Sequence, residues 1–186
     1  QFYSFANFAA QLGSGQSAQP FKTVQDYDNW LKRGAALPAL FDQAIVNMRE
    51  GMAKGVVQPK VLMQKVLPQL EALIKDKPED TLFWQPIANF PAEFTNADKA
   101  RLEAAYRSLI SDKLMPAYRE LRRFTADEYL PAARDTVSLA ALPNGEAWYA
   151  YRVRQSTTTA LSPAQIHDIG LAEVARIHAE MDAVMA

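Results

Sequence analysis

His167 and His178 are the side chains best suited to hold a metal ion, and no cysteine is present to assist them. Eleven positions apart on a helix, they would share a face to within about 20°, but the rise between them is about 16 Å. Ligands of one zinc each lie about 2 Å from it, so the pair cannot serve a common ion. "IHDIG" and "IHAEM" also lack the His-Glu-x-x-His spacing that sets two imidazoles one turn apart. Neither histidine is assigned a metal; both are expected as partly buried polar residues beside an apolar seam. No metal site and no cofactor are expected in this chain.

A second chemistry is anion or peptide recognition by "WYAYRVRQSTTT", which holds Tyr149, Tyr151, Arg152 and Arg154. Read as a strand near 147–154, its alternation sends both arginines to one side, where they could clamp a carboxylate or phosphate. An exposed edge could also accept a peptide by backbone pairing. The competing reading is amphipathic cover on a core. Ser156 and Thr157 to Thr159 carry hydroxyls but have no base nearby in sequence. Arg119, Arg122 and Arg123 gather near the end of a long predicted helix, where cations suit the helix dipole, and read as a solvated face. Glu79/Asp80 and Asp127/Glu128 fall at loop or helix-start positions that favour acids for capping, not as a general acid and base. "GSGQS" has neither the preceding strand nor the following Lys of a phosphate loop. No catalytic residue is assigned.

The elements that must position these groups are mainly helical. At 186 residues and 49% apolar, with net charge −1 and pI about 6.2, the chain fits one domain and lacks the basic footprint of a nucleic-acid binder. No apolar run approaches the roughly 18 residues that span a bilayer. The expected fold is a multi-helix bundle with kinked helices and one short β-like segment near 147–154, as a single domain over 1–186. Phe2, Phe5, Phe8 and Leu12 predict a helix over 1–12, and "GSGQSAQP" predicts a linker over 13–22 before the main body at 23–186. Thr23 with Asp26 predicts a capped helix start at about 24, and Pro38 the first turn of the next helix, ended by Gly55. Pro68 and Pro116 predict kinks. "TLFWQPIANFPAEF" reads as a buried crossover, Asn96 as an N-cap, and Asn144-Gly145 as a hairpin turn. Ser162, Pro163 and Gln165 announce a last helix whose Ile166, Gly170, Val174, Ile177, Met181 and Val184 trace a seam. The opening at Gln1 without an initiator Met and the stop at Ala186 without a helix-ending residue predict that both ends are cuts through a longer polypeptide.

Three blocks, "PFKTVQDYDNWLKR", "AIVNMREGMAKGVVQPK" and "LPNGEAWYAYRVRQSTTTALSPAQIHDIGLAEVARIHAEM", resemble in this order the bacterial family catalogued as domain of unknown function 885. The third block is the most specific. The resemblance implies a largely helical, predicted zinc-dependent peptidase, exported or lipid-anchored, whose His-Glu and Pro-Gly-His motif lies downstream of Ile-His-x-Ile-Gly-Leu. The sequence ends before that motif, so no metal ligand or catalytic Glu carries over, and zinc is expected only in a full-length parent. This chain is then the non-catalytic helical portion of a hydrolase of unknown substrate, inactive alone. Tyr149, Tyr151, Arg152 and Arg154 would touch a peptide substrate, and the expected partners are the remainder of the parent chain and that peptide. Self-association through an apolar surface exposed by truncation is also expected. The alternative is a helical scaffold or ligand-binding module with no enzymatic activity.

Overall fold

The structure, a computed structural model, describes residues 4–185, and contacts gather the chain into two compact units, Gln1–Asp135 and Thr136–Ala186. It is mainly α-helical, as the apolar spacing predicts.

In the first unit, helix α1 covers Phe5–Gly13. Phe2 lies outside the described residues, and the buried face is not the aromatic one: Ala6, Ala9, Ala10 and Gly13 turn inward while Phe8 is 49% exposed. Small residues face the core because the backbone comes very close to it. A Cβ on Gly13 would stand 2.4 Å from a Trp30 ring carbon and 2.5 Å from one of Phe83. Residues 13–22 then form a packed turn, with Ser14 and Gln19 buried and the Gln19 side chain accepting a 2.8 Å hydrogen bond from Arg33.

Helix α2, Val24–Ala53, starts as predicted: Thr23 Oγ1 accepts from the Asp26 N–H, and Asp26 accepts from the Thr23 N–H at 2.9 Å. The predicted break at Pro38 is absent, and one helix of 30 residues runs through it. Proline removes a single internal bond, whereas Tyr27 and Trp30 before it and Phe41 and Ile45 after it enter the same core and hold the halves in line. The end is a Schellman turn: Val56 N–H donates to Gly51 O at 2.8 Å, Gly55 N–H to Met52 O at 3.1 Å, and Gly55 takes φ +69°.

Helix α3, Lys60–Leu73, keeps Pro68 inside it and buries Met63 and Leu70. Two 3₁₀ turns, Pro78–Asp80 and Leu82–Trp84, lead into the short α4, Gln85–Ala88, and bury Phe83, Trp84 and Ile87 as the expected crossover. Helix α5 spans Asn96–Ser108, with Thr95 rather than Asn96 as its cap, because the Thr95 hydroxyl accepts from Asp98 N–H at 3.1 Å. Helical winding then continues as a π turn at Leu109–Leu114, α6 at Met115–Phe124, a second π turn at Thr125–Tyr129, and α7 at Leu130–Ala132. Each π turn ends two residues before a proline, Pro116 and Pro131. A widened turn gives the proline ring room against the carbonyl it would otherwise strike, so helical winding continues through each proline.

These helices enclose an aromatic core in which Tyr27, Tyr106, Tyr118, Phe41, Phe83 and Trp30 are almost fully buried. Its hydroxyls stay paired: Tyr27 donates to Pro86 O at 2.9 Å and Tyr118 to Ala6 O at 2.7 Å. Trp30 Nε1 is the exception, with no partner among the described residues.

In the second unit, a 3₁₀ turn at Leu139–Ala141 precedes α8, Gly145–Thr157, and α9, Pro163–Met185. The β-like segment predicted near 147–154 is therefore helix. Asn144 does take a left-handed conformation, φ 54°, but it caps a helix instead of turning a hairpin. Asn-Gly specifies only that local dihedral; with no second strand to pair, an isolated strand would leave its N–H and C=O groups without backbone partners, and a helix satisfies its own. Gly145 is required here, since a Cβ would lie 2.3 Å from Leu139 O. Helix α9 opens with a complete capping box, Gln165 N–H to Ser162 Oγ at 3.2 Å and Ser162 N–H to Gln165 Oε1 at 2.8 Å.

Candidate functional site

Helical geometry rearranges the aromatic and basic residues of 148–154. At about 100° per residue, Arg152 and Arg154 lie about 160° apart around α8, so they do not clamp one anion as a strand would allow. Three apart, Tyr149 and Arg152 are neighbours on the helix surface. They line a shallow cleft of about 260 Å³ with Val153, Ser156, Pro163 and Ile166, at the joint of α8 and α9. Arg152 also borders an apolar hollow of about 480 Å³ with Trp148 and Tyr151. It thus joins both aromatic groups, while Arg154 lines neither hollow. Arg152 Nη1 donates to Gln155 Oε1 at 2.7 Å, an exposed pairing that an incoming carboxylate could displace.

The threonine run ends the helix. Thr157 Oγ1 donates to Val153 O at 2.9 Å and meets Thr159 Oγ1 at 3.0 Å, while Thr158 takes φ 57° as the C-cap. His167 and His178 are both exposed, not partly buried as expected, because α9 buries none of its residues. Among the described residues no three or more His, Asp or Glu side chains come together in a group that could hold an ion.

The other charged clusters strap helices together. Arg122 pairs with Glu71 at 2.7 Å, linking α6 to α3. Arg49 pairs with Glu128 at 2.8 Å, and Arg123 reaches Glu120 at 2.6 Å and Glu128 at 3.5 Å. The Arg49 guanidinium also lies 5.2 Å from the centre of the Phe124 ring. Hydrogen bonds from Arg123 and Arg107 hold the Glu120 and Glu79 carboxyls below their ordinary range. Such groups stay ionised and are poorly placed to donate a proton.

One concave feature was not legible in the sequence. Met48, Met63, Val66, Leu70 and Leu121 line an apolar pocket of about 310 Å³, with Thr125 and Tyr129 from the second π turn. Tyr129 OH accepts from Gln58 N–H at 3.0 Å. The sole sequence signal was Pro131, which places the widened turn.

Among curated proteins none matches the sequence. A crystal structure described as "the putative lipoprotein from Colwellia psychrerythraea" shares the fold with a TM-score of 0.81 at 26% identity, over 89% of this chain. This chain spans only 29% of that one. No helix among the described residues is long and apolar enough to cross a membrane. Over residues 1–186 the sequence matches the model of a family described as bacterial protein of unknown function (DUF885), and the chain belongs to that family.

Proposed function

We propose that this chain is the helical, non-catalytic portion of a longer zinc-dependent peptidase, exported or lipid-anchored. The observation that carries the reading is that its fold corresponds to 29% of a longer chain at a TM-score of 0.81, the one described as "the putative lipoprotein". The motif blocks that resemble the predicted peptidases support it. The residues of this chain do not fit a zinc ion: His167 and His178 stand about three helical turns apart, and no cysteine exists. Metal, general base and bond cleavage therefore belong to the rest of the longer protein. What this chain contributes is support for the site and, through Tyr149, Tyr151 and Arg152, contact with a peptide or its carboxylate.

The helical placement of these residues separates their roles. Arg152, beside Tyr149 and Tyr151, is the carboxylate contact, and Arg154 is peripheral. In the longer gene product Arg152→Ala is expected to raise KM for peptides about tenfold, the loss of one charge-assisted hydrogen bond, with kcat little changed. Arg154→Ala should stay within about twofold. Equal effects of the two, or none, remove this contact.

A second reading, a helical scaffold without hydrolytic chemistry, is favoured by the pairing of Arg49 with Glu128 and of Arg122 with Glu71, which strap separate helical segments together. The gene distinguishes the two. Continuation past Ala186 into a His-Glu and Pro-Gly-His segment supports the peptidase, and a stop codon there supports the scaffold.

A further inference from the structure

We infer that the apolar arc of α9 is an interior surface covered by a continuation of this same polypeptide beyond the described residues. The inference rests on the longer protein proposed above and states which face that protein builds on.

Every residue from His167 to Met185 is exposed, so α9 stands without cover. Most helical stability in proteins comes from packing an apolar face rather than from propensity. That face exists. At about 100° per residue, Val184, Ile177, Met181, Val174 and Leu171 occupy one arc of about 140° that holds no carboxylate or guanidinium, with His167 and His178 inside it near the Leu171 edge. Val174 is 52% exposed and Met181 54%. Glu173, Arg176 and Glu180 lie beyond one edge of the arc and pair with one another.

Width decides between occupants. A second copy pairing through Val174, Ile177, Met181 and Val184 would use a narrow two-stranded seam and leave Leu171 wet. An arc of about 140° is the width of a helix laid against a core. Gly170, within the arc, adds a separate clue. A Cβ there would meet nothing within 4 Å, so nothing in the structure requires glycine, and glycine in a helix interior is destabilising relative to alanine. It becomes useful when another backbone approaches closely. The longer Colwellia chain supplies the precedent for the occupant, since the part equivalent to this chain is 29% of it.

The test is hydrogen exchange of residues 163–185 in the 186-residue chain and in the chain extended along its gene. Exchange should be nearly unprotected in the first and on the order of 100-fold slower in the second. Val174→Asp should leave melting of the short chain unchanged and reduce protection in the extended one. Equal exchange in both chains overturns the inference, as does protection of the short chain that rises with its concentration, which would make a second copy the occupant. The readout involves neither metal nor hydrolysis. An extended chain that protects α9 but binds no zinc removes the peptidase reading and leaves this one standing.

Discussion

At the residue scale the core is organised around close approach and buried hydroxyls, and each makes a prediction. Gly13 sits where a methyl group would enter the Trp30 and Phe83 rings, which are themselves fixed by stacking on each other at 6.3 Å between centroids. Gly13→Ala should therefore destabilise the chain by about 1–3 kcal/mol through overpacking, despite the better helix propensity of alanine. A lowered urea midpoint checks it, and an unchanged or raised midpoint would show that the rings yield. Burial pushes the Tyr27 hydroxyl up to about 12, and raises Tyr106 and Tyr118 in the same direction. A raised folded value means that the neutral hydroxyl is favoured in the folded state. The stability contributed by Tyr27 is thus intact below its ordinary value of 10.0 and lost as pH climbs toward about 12. Tyr27→Phe should lose about 1 kcal/mol at neutral pH, with its hydrogen bond to Pro86, and should narrow its deficit against wild type between pH 10 and 12. Parallel stability curves across that range would contradict the assignment.

At the element scale, helix caps explain both what can be tested and what the sequence discloses. Thr23 and Ser162 each begin a capping box, but α2 buries Tyr27, Trp30, Phe41 and Ile45 whereas α9 buries nothing. Thr23→Ala should lower global stability by about 1 kcal/mol. Ser162→Ala should leave the global midpoint unchanged and accelerate amide exchange only along α9. Equal shifts in midpoint would mean that α9 folds cooperatively with the core. These two starts were legible because a cap is a contract between residues three apart. Pro38 misled because a proline's local penalty was outweighed by apolar residues on both sides of it. Phe5 and Phe8 suggested the buried face of α1, but the small residues Ala6, Ala9, Ala10 and Gly13 turn inward, and Gly13 is the one that meets Trp30. Around the candidate site, Asn144-Gly145 announced a positive φ and left open whether a strand or a helix followed. The pairing of Arg152 with Tyr149, rather than with Arg154, was therefore beyond the sequence.

At the scale of the whole molecule, the chain contains a well-formed aromatic core in one unit and an uncovered helix in the other. The chain belongs to its family over residues 1–186 and shares its fold with 29% of a longer chain. No ordinary zinc site can be made from histidines about 16 Å apart along one helix. In the function proposed above, metal and hydrolysis belong to the rest of a longer protein. Metal content measures this most directly. After purification with equimolar zinc and dialysis, the 186-residue chain should retain none, and the chain extended along its gene should retain about one zinc per molecule. Stoichiometric zinc on the short chain, with peptide cleavage abolished by chelator and restored by metal, would contradict the account.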